Sequence, residues 1–201
     1  MHELGTAFEV LNYPFDKALR APEFLSHSPA GRVPALEIGG RRLFETGAIA
    51  EFLCEEFSPD DLGRRPGTPE RAEWLVWMHF AETISQHAAA LTQQHVALRE
   101  DHMRSPIVMK LEAARLGKCY AALEARFEET GGAYLLDGFS AADIGVGQAV
   151  YMARHFAPLE GYTKTADWYA RITARPGFQA SLPKPEEKLF EKEFYPPWPM
   201  P

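Results

Sequence analysis

Cysteine is scarce in this 201-residue chain: there are two, Cys54 and Cys119. Two cysteines make no disulfide framework, so the fold must rest on a packed core, and a reducing compartment is expected. Long apolar runs are missing too. No stretch approaches the ~18 apolar residues that span a bilayer, so no membrane segment is expected. Positive charge is in deficit, with 21 Lys and Arg against 28 Asp and Glu and a formal charge of −7. A nucleic-acid partner, which needs a basic face, is therefore not expected. The opening Met1-His2-Glu3-Leu4-Gly5 has neither the basic nor the apolar part of a secretory leader, and a cytoplasmic location is expected. What is abundant is apolar character, 46% of residues, enough for a globular core rather than a disordered chain.

Composition divides the chain. Residues 1–57 mix short strand-like runs with turns. Residues 58–69, Ser-Pro-Asp-Asp-Leu-Gly-Arg-Arg-Pro-Gly-Thr-Pro, read as a polar linker. Residues 70–182 are helical in pattern, and residues 183–201 form a Pro- and aromatic-rich tail with Phe190, Phe194, Tyr195 and Trp198. In the first part, Ala35–Ile38, Gly39-Gly40 and Arg41–Phe44 predict a tight hairpin, because paired glycines supply the positive φ angles of a two-residue loop. Phe8–Tyr13 alternates weakly and suggests one more strand. Thr46 opens a helical spacing of Ile49, Phe52 and Leu53.

The second part is better punctuated. Thr68-Pro69 and Ser105-Pro106 each read as an N-cap with proline at the first helical position. The first helix would present Trp74, Trp77, Met78, Ala81, Ile84, Ala88, Leu91 and Leu98 on one face. The second would present Leu116, Tyr120, Leu123 and Phe127 and stop at Gly131-Gly132. Ser140 and Asp143 predict a capping box with Asp in place of Glu, flanked by a Phe139–Ile144 staple, before a helix apolar nearly all round. Thr165 to Arg175 reads as a last helix closed by Pro176-Gly177.

The run Gly31-Arg32-Val33-Pro34-Ala35-Leu36-Glu37, followed by Leu43-Phe44-Glu45-Thr46-Gly47-Ala48-Ile49, resembles the glutathione-binding half of a glutathione S-transferase. Ser140–Asp143 and Ala174-Arg175-Pro176-Gly177-Phe178 resemble two patterns of that family's helical half. The resemblance implies an incomplete α/β thioredoxin-like N-terminal domain followed by an all-α helical bundle, with glutathione as co-substrate and no metal. It implies a cytosolic homodimer acting in detoxification, in which the glutathione thiolate attacks a small, electrophilic, apolar molecule. A catalytically silent module of the same fold, serving ligand binding or protein–protein contact, is the alternative.

The implied site comprises Arg32, Val33, Pro34, Glu45 and Thr46. A cis Val33-Pro34 bond would expose the Val33 backbone to pair with the cysteinyl part of glutathione. Glu45 would take the γ-glutamyl ammonium, Thr46 its carboxylate, and Arg32 the glycyl carboxylate. The residues alone also fit a ligand-free turn, an ordinary N-cap and a solvated arginine. The family's first strand and first helix, with the residue that activates the sulfur, would precede His2-Glu3-Leu4-Gly5. No catalytic residue is identifiable, and the 201 residues by themselves are expected to conjugate poorly. A start codon assigned too late, a silent paralogue and a strand supplied by a partner all fit. His79, His87, His95 and His102 recur at steps of seven or eight, a spacing that drifts around a helix, so no metal site is expected. His102, Arg99 and Arg104 are candidates for approaching the second substrate. Cys54 lacks a partner cysteine for a redox pair, and Cys119 falls in the helical stripe and should be core.

Overall fold

The computed structural model describes residues 1–14 and 16–197. The chain divides into two compact units, Met1–Thr68 and Pro69–Pro201. The first is a thioredoxin-like domain built on a two-stranded sheet, the second a helical domain.

In the first unit a short helix α1 (Pro22–Leu25) precedes the hairpin of β1 (Ala35–Ile38) and β2 (Arg41–Phe44). The strands are antiparallel, with Ala35 opposite Phe44, Leu36 opposite Leu43, Glu37 opposite Arg42 and Ile38 opposite Arg41. Gly39 and Gly40 turn the loop with φ of 54° and 74°, values that a side chain would oppose. The register sets Glu37 across from Arg42. The Arg42 Nε donates to the Glu37 carboxylate at 2.5 Å, and His27 Nδ1 lies 3.1 Å from the same oxygen. That hydrogen bond to Arg42 is the chief reason the Glu37 carboxyl sits below its ordinary pKa. Helix α2 (Thr46–Phe57) follows and buries Leu53 and Cys54, while Leu19 and Phe24 complete the small core.

The expected strand over Phe8–Tyr13 does not form; residues 6–14 adopt no regular element. Weak alternation needs a ladder partner to become a strand. Phe8, Val10 and Leu11 instead stand 40–66% exposed. The proline-rich stretch 58–69 is folded by local bonds. Ser58 Oγ accepts from the Leu62 N–H, Arg65 grips both oxygens of Asp60 at 2.6 and 2.7 Å, and Leu62 is buried.

The second unit holds α3 (Arg71–Thr92), α4 (Pro106–Thr130), α5 (Ala141–Ala153), α6 (Thr163–Thr173) and α7 (Pro176–Ser181). Trp74, Met78, Ala81, Ile84, Ala88 and Leu91 bury the inward stripe of α3, against α5 and α4. Leu116, Tyr120, Leu123 and Phe127 do the same for α4. Each large side chain so buried contributes roughly 1.5–3 kcal/mol relative to exposure. Cys119 is buried, and its burial pushes the thiol pKa up, so it behaves as core. On α5, Gly147 lies against Ile172 of α6: a Cβ there would come within 2.4 Å of Ile172 Cδ1.

Ser105 caps α4, accepting from the Val108 N–H, and Gly131 ends it in the left-handed region with its N–H on the Phe127 carbonyl. The Ser140–Asp143 capping box opens α5. Four expectations need correction. Thr68 does not cap α3. Its hydroxyl donates back to the Arg65 carbonyl at 2.8 Å, so the helix starts at Arg71 with Glu70 as its cap. The α-helix of the first stripe does not run to Leu98. It ends at Thr92 and passes into a π-helical turn, Gln93–Ala97, closed by the Leu98 N–H on the Gln93 carbonyl. Pro176 does not close the last helix; it starts α7, because proline's fixed φ suits a first helical position. Finally, Ile144 is 42% exposed, so α5 is not apolar-buried all round, and Phe139 packs its ring on Tyr134 and beneath the Arg175 guanidinium.

Candidate functional site

The hairpin register decides which candidate residues meet. Ala35 pairs with Phe44, so Pro34 and Glu45 are the next residues outward on the two chains, and Val33 and Thr46 the next after those. Opposite residues of an antiparallel pair lie about 4.5–5.5 Å apart. The ladder ends at Ala35 and Phe44, so Arg32, Val33 and Pro34 on one chain and Glu45 and Thr46 on the other adjoin the open end of the hairpin, and all five are exposed.

Three local features shape this edge. The Val33-Pro34 bond is cis, which is uncommon even before proline. The turn before it is anchored inside: Ser28 is 1% exposed, its carbonyl accepts from the Gly31 N–H at 2.9 Å, and its hydroxyl accepts from the Arg32 N–H at 3.4 Å. Gly31 has φ 64°, and a Cβ there would press to 2.9 Å from the Leu19 carbonyl oxygen. Arg32 and Val33 are thus carried outward by a turn that is fixed from within.

On the other side, Glu45 has φ 75° and ψ 118°, and it is the one non-glycine residue with positive φ among the described residues. A residue held in that region costs about 1–3 kcal/mol and persists where the surroundings over-determine it. Glu45 is the N-cap of α2, yet its own side chain makes no cap bond. The Glu45 carbonyl accepts from the Ile49 N–H, so the helix begins properly, while the first-turn amides of Thr46, Gly47 and Ala48 point beyond its end. Together with the helix dipole they favour an anion. The edge therefore offers an exposed backbone pair at Val33, a carboxylate at Glu45, a hydroxyl at Thr46, and amides directed at negative charge. The positive φ of Glu45 escaped the sequence, because glutamate gives no local signal for it.

The other candidates disperse. His87 Nδ1 lies 2.6 Å from the Glu112 carboxylate, which also pairs with Arg115. His95 packs among Phe156 and Tyr195, and His102 lies in an exposed turn. Arg104 is occupied with its own loop, bonding the Leu98 carbonyl and Asp101. Among the described residues no group of three or more His, Cys, Asp or Glu side chains is placed to hold a metal. No described helix is long and apolar enough to cross a membrane. Of the tail's aromatics, Tyr195 is buried, and Trp198 lies outside the described residues.

Residues 1–55 match the family model described as the glutathione S-transferase N-terminal domain. Over 197 residues the chain is 30% identical to a probable glutathione S-transferase, GSTF2, of Oryza sativa subsp. japonica, covering 92% of this chain and 89% of that protein. Among solved structures, the glutathione transferase URE2P6 of Phanerochaete chrysosporium, in complex with oxidized glutathione, superposes with a TM-score of 0.78 at 23% identity. It covers 89% of this chain and 84% of its own. A beta-class glutathione S-transferase of Sphingomonas chungbukensis gives a TM-score of 0.72 at 25% identity, covering 89% and 87%.

Proposed function

The chain belongs to the glutathione S-transferase family, and from that premise we propose that the open end of the hairpin binds glutathione and presents its thiol to an electrophilic, largely apolar small molecule. Glutathione carries an ammonium and a carboxylate at its γ-glutamyl end, a peptide backbone in the middle and a second carboxylate at its glycyl end. The edge has a complement for each. The N–H and C=O of the exposed Val33 add the cysteinyl part as a short strand. Glu45 pairs with the ammonium. Thr46 and the amides of the first α2 turn hold the γ-glutamyl carboxylate. Arg32 extends toward the glycyl carboxylate.

The supported reaction is thioether formation. The thiol loses its proton, the sulfur lone pair attacks the electrophilic carbon, and the displaced group or a proton taken from water balances the charge. No side chain is assigned as donor to the thiolate. A homodimer, a cytoplasmic setting and a part in detoxification belong to the same reading, as does a division into residues 1–57, a 58–69 linker, a 70–182 helical domain and a 183–201 tail.

The placement of the exposed Val33 backbone, Glu45 and Thr46 beside the open end of one hairpin carries the proposal. Titration calorimetry with reduced glutathione tests it. Thr46→Ala and Glu45→Ala should each weaken binding by about tenfold, as expected when a hydrogen bond to a charged group is lost. Absence of binding, or affinity unchanged in both variants, overturns it. Thiol consumption with an apolar electrophile identifies the enzyme; binding without consumption identifies the silent module.

A further inference from the structure

The C-terminal segment 190–195 is folded onto the helical unit by an unusual set of contacts. Tyr195 is 7% exposed, and its N–H donates to the His155 carbonyl at 2.7 Å. Its hydroxyl accepts from the Glu191 and Lys192 N–H groups at 3.1 and 3.2 Å, which closes the segment on itself. His155, just beyond the end of α5, directs Nδ1 at the Lys192 and Glu193 carbonyls, 3.1 and 2.8 Å away. Two carbonyls can only accept, so Nδ1 carries the proton. The rings of Phe190 and Tyr195 close over Phe156, at centroid distances of 5.5 and 5.7 Å.

His95 packs on the same two rings, Phe156 and Tyr195. The π-helical turn Gln93–Ala97 carries it against Phe156 at 5.4 Å, nearly parallel, and against Tyr195 at 5.5 Å. Its Nε2 is shut off from water and has no hydrogen-bond partner. Around it, Arg104 from the loop before α4 and Lys192 from the segment itself are both cationic. Around His155 stand Arg154, Glu193 and the edge of Tyr151. Nothing in the first group would receive a proton's charge at His95.

We infer that segment 190–195 is a pH-sensitive strap, latched while His95 is neutral and released when His95 takes a proton. A charged imidazole in the closed cage would be desolvated, without an acceptor at Nε2, and next to two cations. With the strap open, water solvates it. His155 is chiefly the anchor, because its Nδ1–H bonds to the two carbonyls persist when the ring is charged, and burial leaves it only a secondary share of the same response.

The direction follows from linkage. Burial, helped by Arg104 and Lys192, lowers the pKa of His95 to about 4 in the closed state, against an ordinary value of 6.5. Closure is therefore fully favoured above about pH 6.5 and is lost as pH falls toward 4. Burial is also the main influence lowering His155, and it acts in the same sense. Release uncovers Phe156 and the π-helical turn to solvent.

Hydrogen exchange of residues 188–197, divided by the intrinsic rate at each pH, tests the strap. Residues 116–127 of α4 serve as the reference for global opening. Between pH 7.5 and 5.0 the opening constant of the strap should rise roughly thirtyfold while α4 stays protected. His95→Phe keeps a ring in the cage and cannot titrate, so most of that rise should disappear. Tyr195→Ala should leave the strap open at both pH values. A strap whose exchange changes less than threefold in the unaltered protein, or a full pH step in His95→Phe, overturns the inference. If His95→Phe fails to protect α4, an NMR titration of His95 in the unaltered protein decides: a pKa near 4 to 5 supports the latch, and one at or above 6.5 overturns it.

Discussion

Replacing Asp143 tests how the helical unit is held together. Its side chain is wholly buried and accepts four hydrogen bonds. Oδ1 takes the Leu135 N–H at 3.0 Å and the Trp168 indole N–H at 2.8 Å. Oδ2 takes the Ser140 N–H at 3.0 Å and its hydroxyl at 3.4 Å. One carboxylate thus joins the loop before α5, the first turn of α5, and α6. Burial pushes its carboxyl pKa up, while these bonds pull the other way by favouring the anion. Asp143→Ala strands three buried N–H donors at about 1–3 kcal/mol each. Relief from no longer burying a charge offsets part of this, so a net loss of about 3–5 kcal/mol is expected. That is a large share of an ordinary domain's 5–15 kcal/mol. At a urea slope of about 3 kcal/mol/M the midpoint should fall by roughly 1–1.7 M. Asp143→Asn keeps one acceptor but sets its amide against the Ser140 N–H, so it should fall between. In a double-mutant cycle with Trp168→Phe, about 1–3 kcal/mol of coupling is expected, because deleting the indole N–H removes a donor that Asp143→Ala would orphan. An Asp143→Ala unfolding free energy within about 0.5 kcal/mol of the parent, or additivity in the cycle, would refute the reasoning.

Three further outcomes are expected. Glu124→Ala should cost about 0.5–1.5 kcal/mol as a lost helix cap. Burial pushes the Glu124 carboxyl up, but the bonds from Lys164, Thr165 and Thr163 together outweigh it and leave the pKa below 4.5. The gap between parent and variant in urea melts should therefore be full above about pH 4.5 and shrink as pH falls below it. Gly147→Ala should cost no more than about 1 kcal/mol, since the methyl meets only the movable end of Ile172, Cδ1, and alanine's better helix propensity offsets part of the repacking. Ile172→Val, which deletes that atom, should recover part of the loss in the same thermal melt. Glu45→Gly should raise the melting temperature by relieving the positive φ while weakening glutathione binding; a variant that binds as tightly as the parent would remove Glu45 from the site.

Much of this was readable in advance where the signal is local. The Gly39-Gly40 hairpin, the Ser105 cap, the Gly131 stop and the Ser140–Asp143 box each depend on residues within a few positions. The cis Val33-Pro34 bond was expected from family resemblance rather than from the dipeptide, which alone favours trans. What escaped depends on distant partners or on competition between neighbours. Phe8–Tyr13 had the pattern of a strand but no ladder to join. Thr68 had a cap's chemistry but spent its hydroxyl on Arg65. The π-helical turn left no trace in periodicity, and the bond from Trp168 to Asp143 spans 25 residues. Near the candidate site the cis bond was anticipated, whereas the backbone of Glu45, set by what surrounds it, was not.

Glu124 has a consequence for the order in which the helical unit is assembled. Tyr162, at the N-cap position of α6, gives no side-chain cap, and the first-turn amides of Lys164 and Thr165 rest on a carboxylate about 40 residues earlier, in α4. An 11-residue helix is too short to persist in water unaided. A peptide of residues 160–175 should therefore be largely unstructured. During folding α6 would gain its cap only after α4 has formed and docked, so this helix is a late arrival: disturbing its cap should speed unfolding while hardly slowing folding.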